Sequence, residues 1–466
     1  MRIVADLHLH SKYSRAVSQQ MTLPEMAKWA KRKGIDLLGT GDFTHPLWFR
    51  EIKSQLEEAE EGTYKLKSTT QNSKAEEKEP LFLLTTEISS IYSQGGRLRR
   101  IHTIVFAPSL ETVEKVSAEL LRRGANLMSD GRPIIGLPAR ELAELVLTVN
   151  SQCLIIPAHA WTPWFSLYGS ESGFDSINEC FGPMSRNILA IETGLSSSPA
   201  MNWRISELDR RQIISFSDAH SPPKLGRELT VFEIPPDREL NYKSIRDAIG
   251  QPANLRIEKL PHIAYTVEFY PEEGKYHYTG HRNCQMKQSP EESQKQGITC
   301  SVCGKGLTVG VMHRVEQLAK LKAPTAVSPS GTMADKQNEK SQIDKFGVRW
   351  MSDLNEARPP YVMLVPLLEI ISEARSSLPA SQKVINEYNN LTDRLGSEFK
   401  VLLETPIGEI AKIAGDKVAE GIERVRQGEI MVEPGYDGVF GTVRIWPLID
   451  ARGKPQEEKK DQLSLF

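Results

Sequence analysis

The chain has 466 residues, with 58 Lys and Arg against 60 Asp and Glu and a formal net charge of −2. That length suits two to four domains with real cores, and the near-neutral balance restricts any nucleic-acid contact to a local patch. No apolar run reaches membrane-spanning length, the N-terminus is a charged strand start rather than a leader, and five cysteines, three of them clustered at 284–303, fit metal in a reducing compartment better than disulfides. The expectation is a cytoplasmic, nucleoid-associated monomer with no membrane contact.

Residues 1 to about 254 alternate short apolar runs with amphipathic stretches, the rhythm of an α/β barrel. The strand readings are Arg2–Asp6, 35–38, 81–84, 153–156, 188–191 and 213–216. Thr22-Leu23-Pro24-Glu25 starts a helix, and 110–123 and 141–149 read as outer helices. The charged stretch 57–80 reads as a helix end followed by a mobile insertion.

Chemistry-bearing residues recur where these strands end. His8 and His10 follow the first, Asp42 and His45 the second, Glu87 the third; His102 stands alone, His159 follows 153–156, and Asp218 and His220 follow 213–216. All six histidines among the first 261 residues belong to this set. One strand-end histidine is usually structural. Six with three carboxylates at one rim point instead to a multi-metal hydrolytic site at the C-terminal ends of barrel strands. Glu192, after 188–191, either orients water or substrate or is structural, and Arg97, Arg99 and Arg100 form either a small basic cluster suited to backbone phosphates or a solvated basic turn.

Residues 255–315 read as a zinc-binding domain. His281-x2-Cys284 and Cys300-x2-Cys303 have zinc-ribbon spacing, and a closed Cys3His site stabilises fold rather than doing chemistry. His277 is a competing fourth ligand. Residues 316–450 read as mainly helical, with a flexible Pro/Ser/Gly-rich segment at 323–342 and helical periodicity over 362–374, 381–395 and 407–425. A polar stretch, 451–466, ends in Gln462-Leu463-Ser464-Leu465-Phe466. Large apolar groups on a solvated tail invite an external groove.

The motifs His8-x-His10, Thr40-Gly41-Asp42, Glu87, His102, His159 and Asp218-x-His220 resemble those of the PHP (polymerase and histidinol phosphatase) superfamily. The resemblance implies a distorted barrel holding a divalent metal cluster of Zn2+, Mn2+, Mg2+ or Fe2+ for phosphoester hydrolysis. The implied ligands are His8, His10, Glu87, His102, His159, Asp218 and His220; Asp218 and His220, with Glu192 from its position after 188–191, are the candidates closest to the chemistry. Where that superfamily has Thr-Asp-His this chain has Gly41-Asp42-Phe43, so either Asp42 takes the missing histidine's place or His45 reaches in.

Barrel, then ribbon with Cys300-Ser301-Val302-Cys303-Gly304-Lys305, then His313-Arg314-Val315-Glu316 and Arg358-Pro359-Pro360, then a helical region, resembles endonuclease Q over nearly the whole chain. That resemblance implies nicking of DNA on the 5′ side of uracil, hypoxanthine, xanthine and abasic sites. The final pentapeptide is similar to the bacterial sliding-clamp binding motif, with Gln462, Leu463, Leu465 and Phe466 as its anchors. The alternatives are a small-molecule phosphatase, which has no use for ribbon, helical region or tail, and a non-catalytic clamp-associated scaffold, which predicts eroded ligands.

Overall fold

The computed structural model describes residues 1–67, 79–255, 257–321 and 339–447. Its central strand, Arg2–Asp6, pairs in parallel with Leu37–Gly39, which pairs in parallel with Leu81–Gln94. The sheet then doubles back. Arg97–Ala107 runs antiparallel to Leu81–Gln94 across the Gly95–Gly96 turn, and Leu154–Pro157 runs antiparallel to Arg97–Ala107. On the other flank Leu229–Glu233 is antiparallel to Arg2–Asp6. Ala190–Glu192 and Gln212–Ile214 form a parallel pair. The Thr230 hydroxyl accepts from Ser215 N at 3.0 Å, which ties that pair to Leu229–Glu233.

These strands surround one apolar interior. Ile3, Ala5, Leu37, Leu83, Ile104, Phe106, Ile156, Ala190, Ile214 and Phe232 form it, and Tyr242, Ile245 and Ile249 of the helix Tyr242–Gly250 close one end. Alternate residues of each strand point inward, as a filled barrel requires. A separate apolar layer packs the outer helices Leu23–Lys33, Leu110–Arg122 and Ala139–Val149 against the sheet. The fold is the distorted α/β barrel expected, distorted because antiparallel strands interrupt the parallel set.

The sheet does not stop near residue 254. His262–Glu268 pairs antiparallel with Leu229–Glu233, and Tyr361–Met363, Arg349–Asp353 and Glu339–Ile343 extend the same sheet outward. The boundaries expected at 254 and 315 therefore cut through a continuous hydrogen-bonded layer. The stretch after residue 56 is also not a helix end: Leu56–Glu60 and Thr63–Leu66 form a hairpin on the edge of Leu81–Gln94. Both cases have one cause, since edge strands carry charge on their free face and read as solvated sequence. The remaining expected linker, 323–338, and the tail with its clamp motif lie outside the described residues.

The helical region runs through Leu367–Ala374, Gln382–Leu395, Glu398–Leu403, Ile407–Ala414 and Asp416–Gln427, the last two interrupted at Gly415. Its dock on the barrel includes a buried ion pair, Lys33 Nζ to Glu398 Oε2 at 2.8 Å. Glu398 also accepts from Tyr388 Oη and from Leu367 N. With these hydrogen bonds the desolvated charges are satisfied, as a buried pair requires.

Candidate active site and metal centres

Glycine sets the approach between the first two strands. A Cβ on Gly39 would lie 2.3 Å from Leu7 O, and one on Gly41 (φ +61°) would lie 2.3 Å from Leu9 O. Only glycine lets the two chains close so tightly, and the closure brings Asp42 under His10. Beyond the strand ends the backbone is strained at Asp42 (φ +48°), His159 (φ +28°), Phe165 (φ +63°) and Asp218 (φ +47°). Non-glycine residues held in this region cost about 1–3 kcal/mol each and collect at functional sites.

Glu87 is the hub. Its Oε1 lies 2.8 Å from His102 Nδ1 and 3.1 Å from His159 Nε2; its Oε2 lies 3.3 Å from His10 Nε2 and 3.0 Å from Arg132 Nη1. Asp218 Oδ1 approaches His10 Nε2 to 3.1 Å and His8 Nε2 to 3.9 Å. Three overlapping groups result, His8–His10–Glu87, His10–Asp218–His220 and Glu87–His102–His159, each with ligand atoms within 4.8 Å of one another. His8 Nε2 is buried without a hydrogen-bond partner, its nearest carboxylate oxygens 3.7 and 3.9 Å away, and His10 Nε2 and Asp218 Oδ1 are buried against each other without the geometry of a hydrogen bond. A buried lone pair left this way is costly, and cations at the three convergence points would satisfy all of these atoms. The donor set, imidazole nitrogen with carboxylate oxygen, is that of zinc, manganese or iron.

Burial opposes protonation of His8, His10 and His159, but the surrounding carboxylates outweigh it and hold all three above the usual imidazole range. Burial opposes ionisation of Glu87, but His102, Arg132 and His8 outweigh it and hold the carboxyl well below the usual range. Asp218 is held down in the same way by His8 and His10 against its burial. Burial pushes His102 the other way, down to about 4, in spite of Glu87.

Three candidate residues stand elsewhere than at the metal points. Asp42 lies behind His10: its Oδ1 is 3.1 Å from His10 Nδ1, while its Oδ2 accepts from Ser11 N, Ser11 Oγ and Ser14 Oγ. His45 belongs to none of the three groups. It caps the helix Pro46–Gln55 and stacks on Tyr13 with ring centroids 4.6 Å apart. Neither residue belongs to the three groups of converging ligand atoms. Glu192 is fully buried rather than open at the rim, and both its oxygens face His8 Nδ1, at 2.9 and 3.0 Å. It also accepts from His159 N at 2.8 Å, so it holds two members of the cluster. Arg132, on Glu87, is a site residue that the sequence pattern does not mark. It sits in the polar segment Asp130-Gly131-Arg132, where no periodicity marks a site.

The basic cluster is divided. Residues 89–100 form the end of the long hairpin rather than a loop. Arg99 donates to Gly173 O, and its guanidinium covers Phe174 at 4.1 Å, so it is spent on holding the 159–175 segment. Arg100 stands over Phe165 at 5.3 Å, and Arg97 is exposed.

The ribbon brings His281, Cys284, Cys300 and Cys303 together with ligand atoms within 4.8 Å. Its knuckles come from the hairpin Thr279–His281 with Met286–Gln288 and from the 300–304 turn, where Gly304 N donates to Cys300 O. Burial resists ionisation of Cys300, but hydrogen bonds from Cys303 N, His281 and Val302 N prevail and bring its thiol down to about 6. Thiolate is the metal-binding form. His277 is outside this group and buried, its imidazole pushed down to about 4. It lines a separate cavity of about 390 Å³.

A barrel with converging His, Asp and Glu side chains at one rim is the architecture of the PHP class of metal-dependent phosphoesterases. Within that class the match extends beyond the barrel. The crystal structure of the lesion-specific endonuclease PfuEndoQ from Pyrococcus furiosus has 31% sequence identity and a TM-score of 0.74, with 96% of each chain covered. An endonuclease Q complex with a 27-mer duplex carrying an abasic lesion at the active site matches at 31% identity and TM-score 0.75, over 96% of this chain and 97% of that one. The chain belongs to the endonuclease Q family. Residues 366–429 match the MJ0043 C-terminal domain family. The Methanocaldococcus jannaschii protein MJ0043 is 31% identical over 293 residues, 62% of this chain; the chain spans about a third (32%) of that relative's length.

Proposed function

We propose that this protein is a DNA repair endonuclease that hydrolyses the phosphodiester 5′ to deaminated bases (uracil, hypoxanthine, xanthine) and abasic sites. The supporting observation is the set of three overlapping His/carboxylate groups around Glu87, in a chain that matches endonuclease Q along 96% of its length. His8, His10, Glu87, His102, His159, Asp218 and His220 would hold the divalent cations, which would supply activation of water and neutralisation of phosphate charge.

The chain's own residues divide the remaining work. Asp218 and His220 are 24% and 36% exposed and form the lip that the scissile phosphate reaches. Glu192 and Asp42 hold His8 and His10 in register from behind, the role that outer hydrogen bonds play for metal ligands. Water attacks phosphorus, the P–O3′ bond breaks, and the products are a 3′-hydroxyl and a 5′-phosphate. The lesion nucleotide must leave the stack for the phosphate to reach the rim, which costs least where pairing is already weakened. Arg97 and Arg100 remain available for phosphates; Arg99 does not.

The Cys3His group holds a structural Zn2+. The protein acts as a monomer and is recruited by the sliding clamp through Gln462, Leu463, Leu465 and Phe466; deletion of 462–466 abolishes clamp binding, and unaltered affinity would refute that motif.

The central test incubates the protein, with Mg2+ or Mn2+, with end-labelled duplexes carrying uracil, hypoxanthine or an abasic site. A nick immediately 5′ to the lesion with a 3′-hydroxyl is expected. Release of free uracil, an unsaturated 3′ sugar, or equal cutting of undamaged duplex would count against the reading.

A further inference from the structure

A row of partly exposed rings leads away from the metal rim. Phe165 lies against His102 with ring centroids 4.9 Å apart. Its neighbour Trp164 meets Tyr276, at the base of the ribbon, edge-on at 5.5 Å. The Tyr276 hydroxyl is 3.8 Å from the place a Cβ on Gly438 would occupy, two residues before Phe440. Lys275, adjoining Tyr276, covers the Phe440 ring at 4.5 Å. Phe165, Trp164 and Tyr276 are half-buried, while Phe440 is 64% exposed beside Val439 at 40%.

Cations stand along the row. Arg100 covers Phe165 at 5.3 Å, and the exposed Arg282 guanidinium lies 3.1 Å from the Gly438 Cβ position. The backbone is held firmly at both ends. Phe165 keeps its positive φ, and its carbonyl accepts from His102 N at 3.2 Å. In the outer turn Asp437 accepts from Arg282 N at 2.8 Å and Thr308 Oγ1 at 2.5 Å, and Tyr436 and Val439 exchange backbone hydrogen bonds.

Single exposed aromatics are common and need no function. Four neighbouring on one surface, beginning beside His102 and accompanied by Arg100, Lys275 and Arg282, form a different pattern. Every base presents a π-face, so aromatic rings with adjacent cations bind unstacked nucleotides without regard to sequence. A peptide partner would satisfy the cations, but nothing about it would require the row to begin at the metal rim.

We infer that Phe165, Trp164, Tyr276 and Phe440 form a stacking track for nucleotides of the damaged strand that are unstacked beside the scissile phosphate. This rests on the endonuclease reading and adds the surface that holds the strand open.

The test compares full-length, metal-loaded wild type with Phe440→Ala, Phe440→Tyr, Trp164→Ala and Trp164→Phe. Binding is read on a uracil duplex carrying 2-aminopurine next to the lesion. Loss of one base–aromatic contact should raise Kd roughly tenfold. Phe440→Ala and Trp164→Ala should show that rise together with reduced quenching of 2-aminopurine, and Phe440→Tyr and Trp164→Phe should restore both. Phe440 is exposed, so its variants keep the fold. Wild-type affinity and quenching in Phe440→Ala would overturn the track. So would losses in Trp164→Ala that follow loss of ribbon metal and that Trp164→Phe does not restore. A wild-type protein that nicks no lesion duplex would instead refute the endonuclease reading itself.

Discussion

Replacing Glu192 by glutamine isolates the support of the metal cluster from the cluster itself. Glu192 is fully buried and uses both oxygens: Oε1 accepts from His8 Nδ1 at 2.9 Å, and Oε2 accepts from His159 N at 2.8 Å. Glutamine has the same shape but one acceptor oxygen. Its amide nitrogen must face either the His8 Nδ1–H or the His159 N–H, donor against donor. One buried, charge-assisted hydrogen bond is lost, about 1.5–3 kcal/mol, or roughly a 10- to 150-fold weakening. The same range, about 10–100-fold, is typical when an outer partner of a metal-ligating histidine is removed. Metal should be titrated into chelator-treated protein, with bound metal and nicking read in parallel. The expected result is a right-shifted metal dependence, with activity largely recovered at saturating metal and an unchanged circular dichroism spectrum. Unaltered metal affinity would refute the assignment of Glu192 as the residue that holds His8. Activity lost at saturating metal would instead return Glu192 to the chemistry.

Asp218→Asn leaves His10 Nε2 and the exposed lip without their carboxylate; lesion nicking should fall at least 100-fold while thermal stability changes little, and near-normal cleavage would remove this rim as the active site. Cys300→Ser should lose one equivalent of tightly bound zinc, read by elemental analysis, and destabilise the ribbon. Because Arg314, in the helix after the ribbon, donates to Tyr168 O and Phe174 O, the 159–175 segment should become more protease-sensitive in the same variant. A third test concerns pH. Burial pushes Glu268 from 4.5 to about 7 against its bonds from Ser215, Thr266 and Thr193, with Glu192 adding to the rise, and Glu228 beside it is also raised by burial and by Glu268. The folded chain holds a proton there that the unfolded chain releases, so this stabilisation is complete below about pH 4.5 and is lost as pH rises through about 7. Glu268→Gln should flatten that decline and be relatively more stable than wild type above pH 7; parallel denaturation curves across pH 5–9 would show that no such proton is held.

The candidate metal ligands could be picked out from sequence because each is a rare residue type directly attached to a strong local signal. His8, His159 and Asp218 follow apolar runs too short for helices, and four Cys/His ligands with ribbon spacing need no tertiary knowledge to be paired. The barrel was readable for the same reason, since buried parallel strands carry their apolar character along their whole length. What sequence could not supply was anything set by partners distant in the chain. Glu192 and Glu87 both follow short apolar runs in sequence, yet Glu192 ends its strand and faces His8 from behind, while Glu87 stands in the middle of Leu81–Gln94 among four imidazoles. Asp42 and His45 were equal candidates until Gly39 and Gly41 drew their strand against Leu7 and Leu9 and placed the aspartate alone beneath His10. Arg132 came from a segment with no pattern, and Arg99 left the basic cluster because Gly173 and Phe174 sit beside it. The sheet's extension through Glu339–Ile343 was hidden because an edge strand can be polar on its free face. Local residue chemistry is written in the one-dimensional pattern, whereas the direction in which a side chain points and the partner that satisfies it depend on strand closure, and only the folded chain decides those.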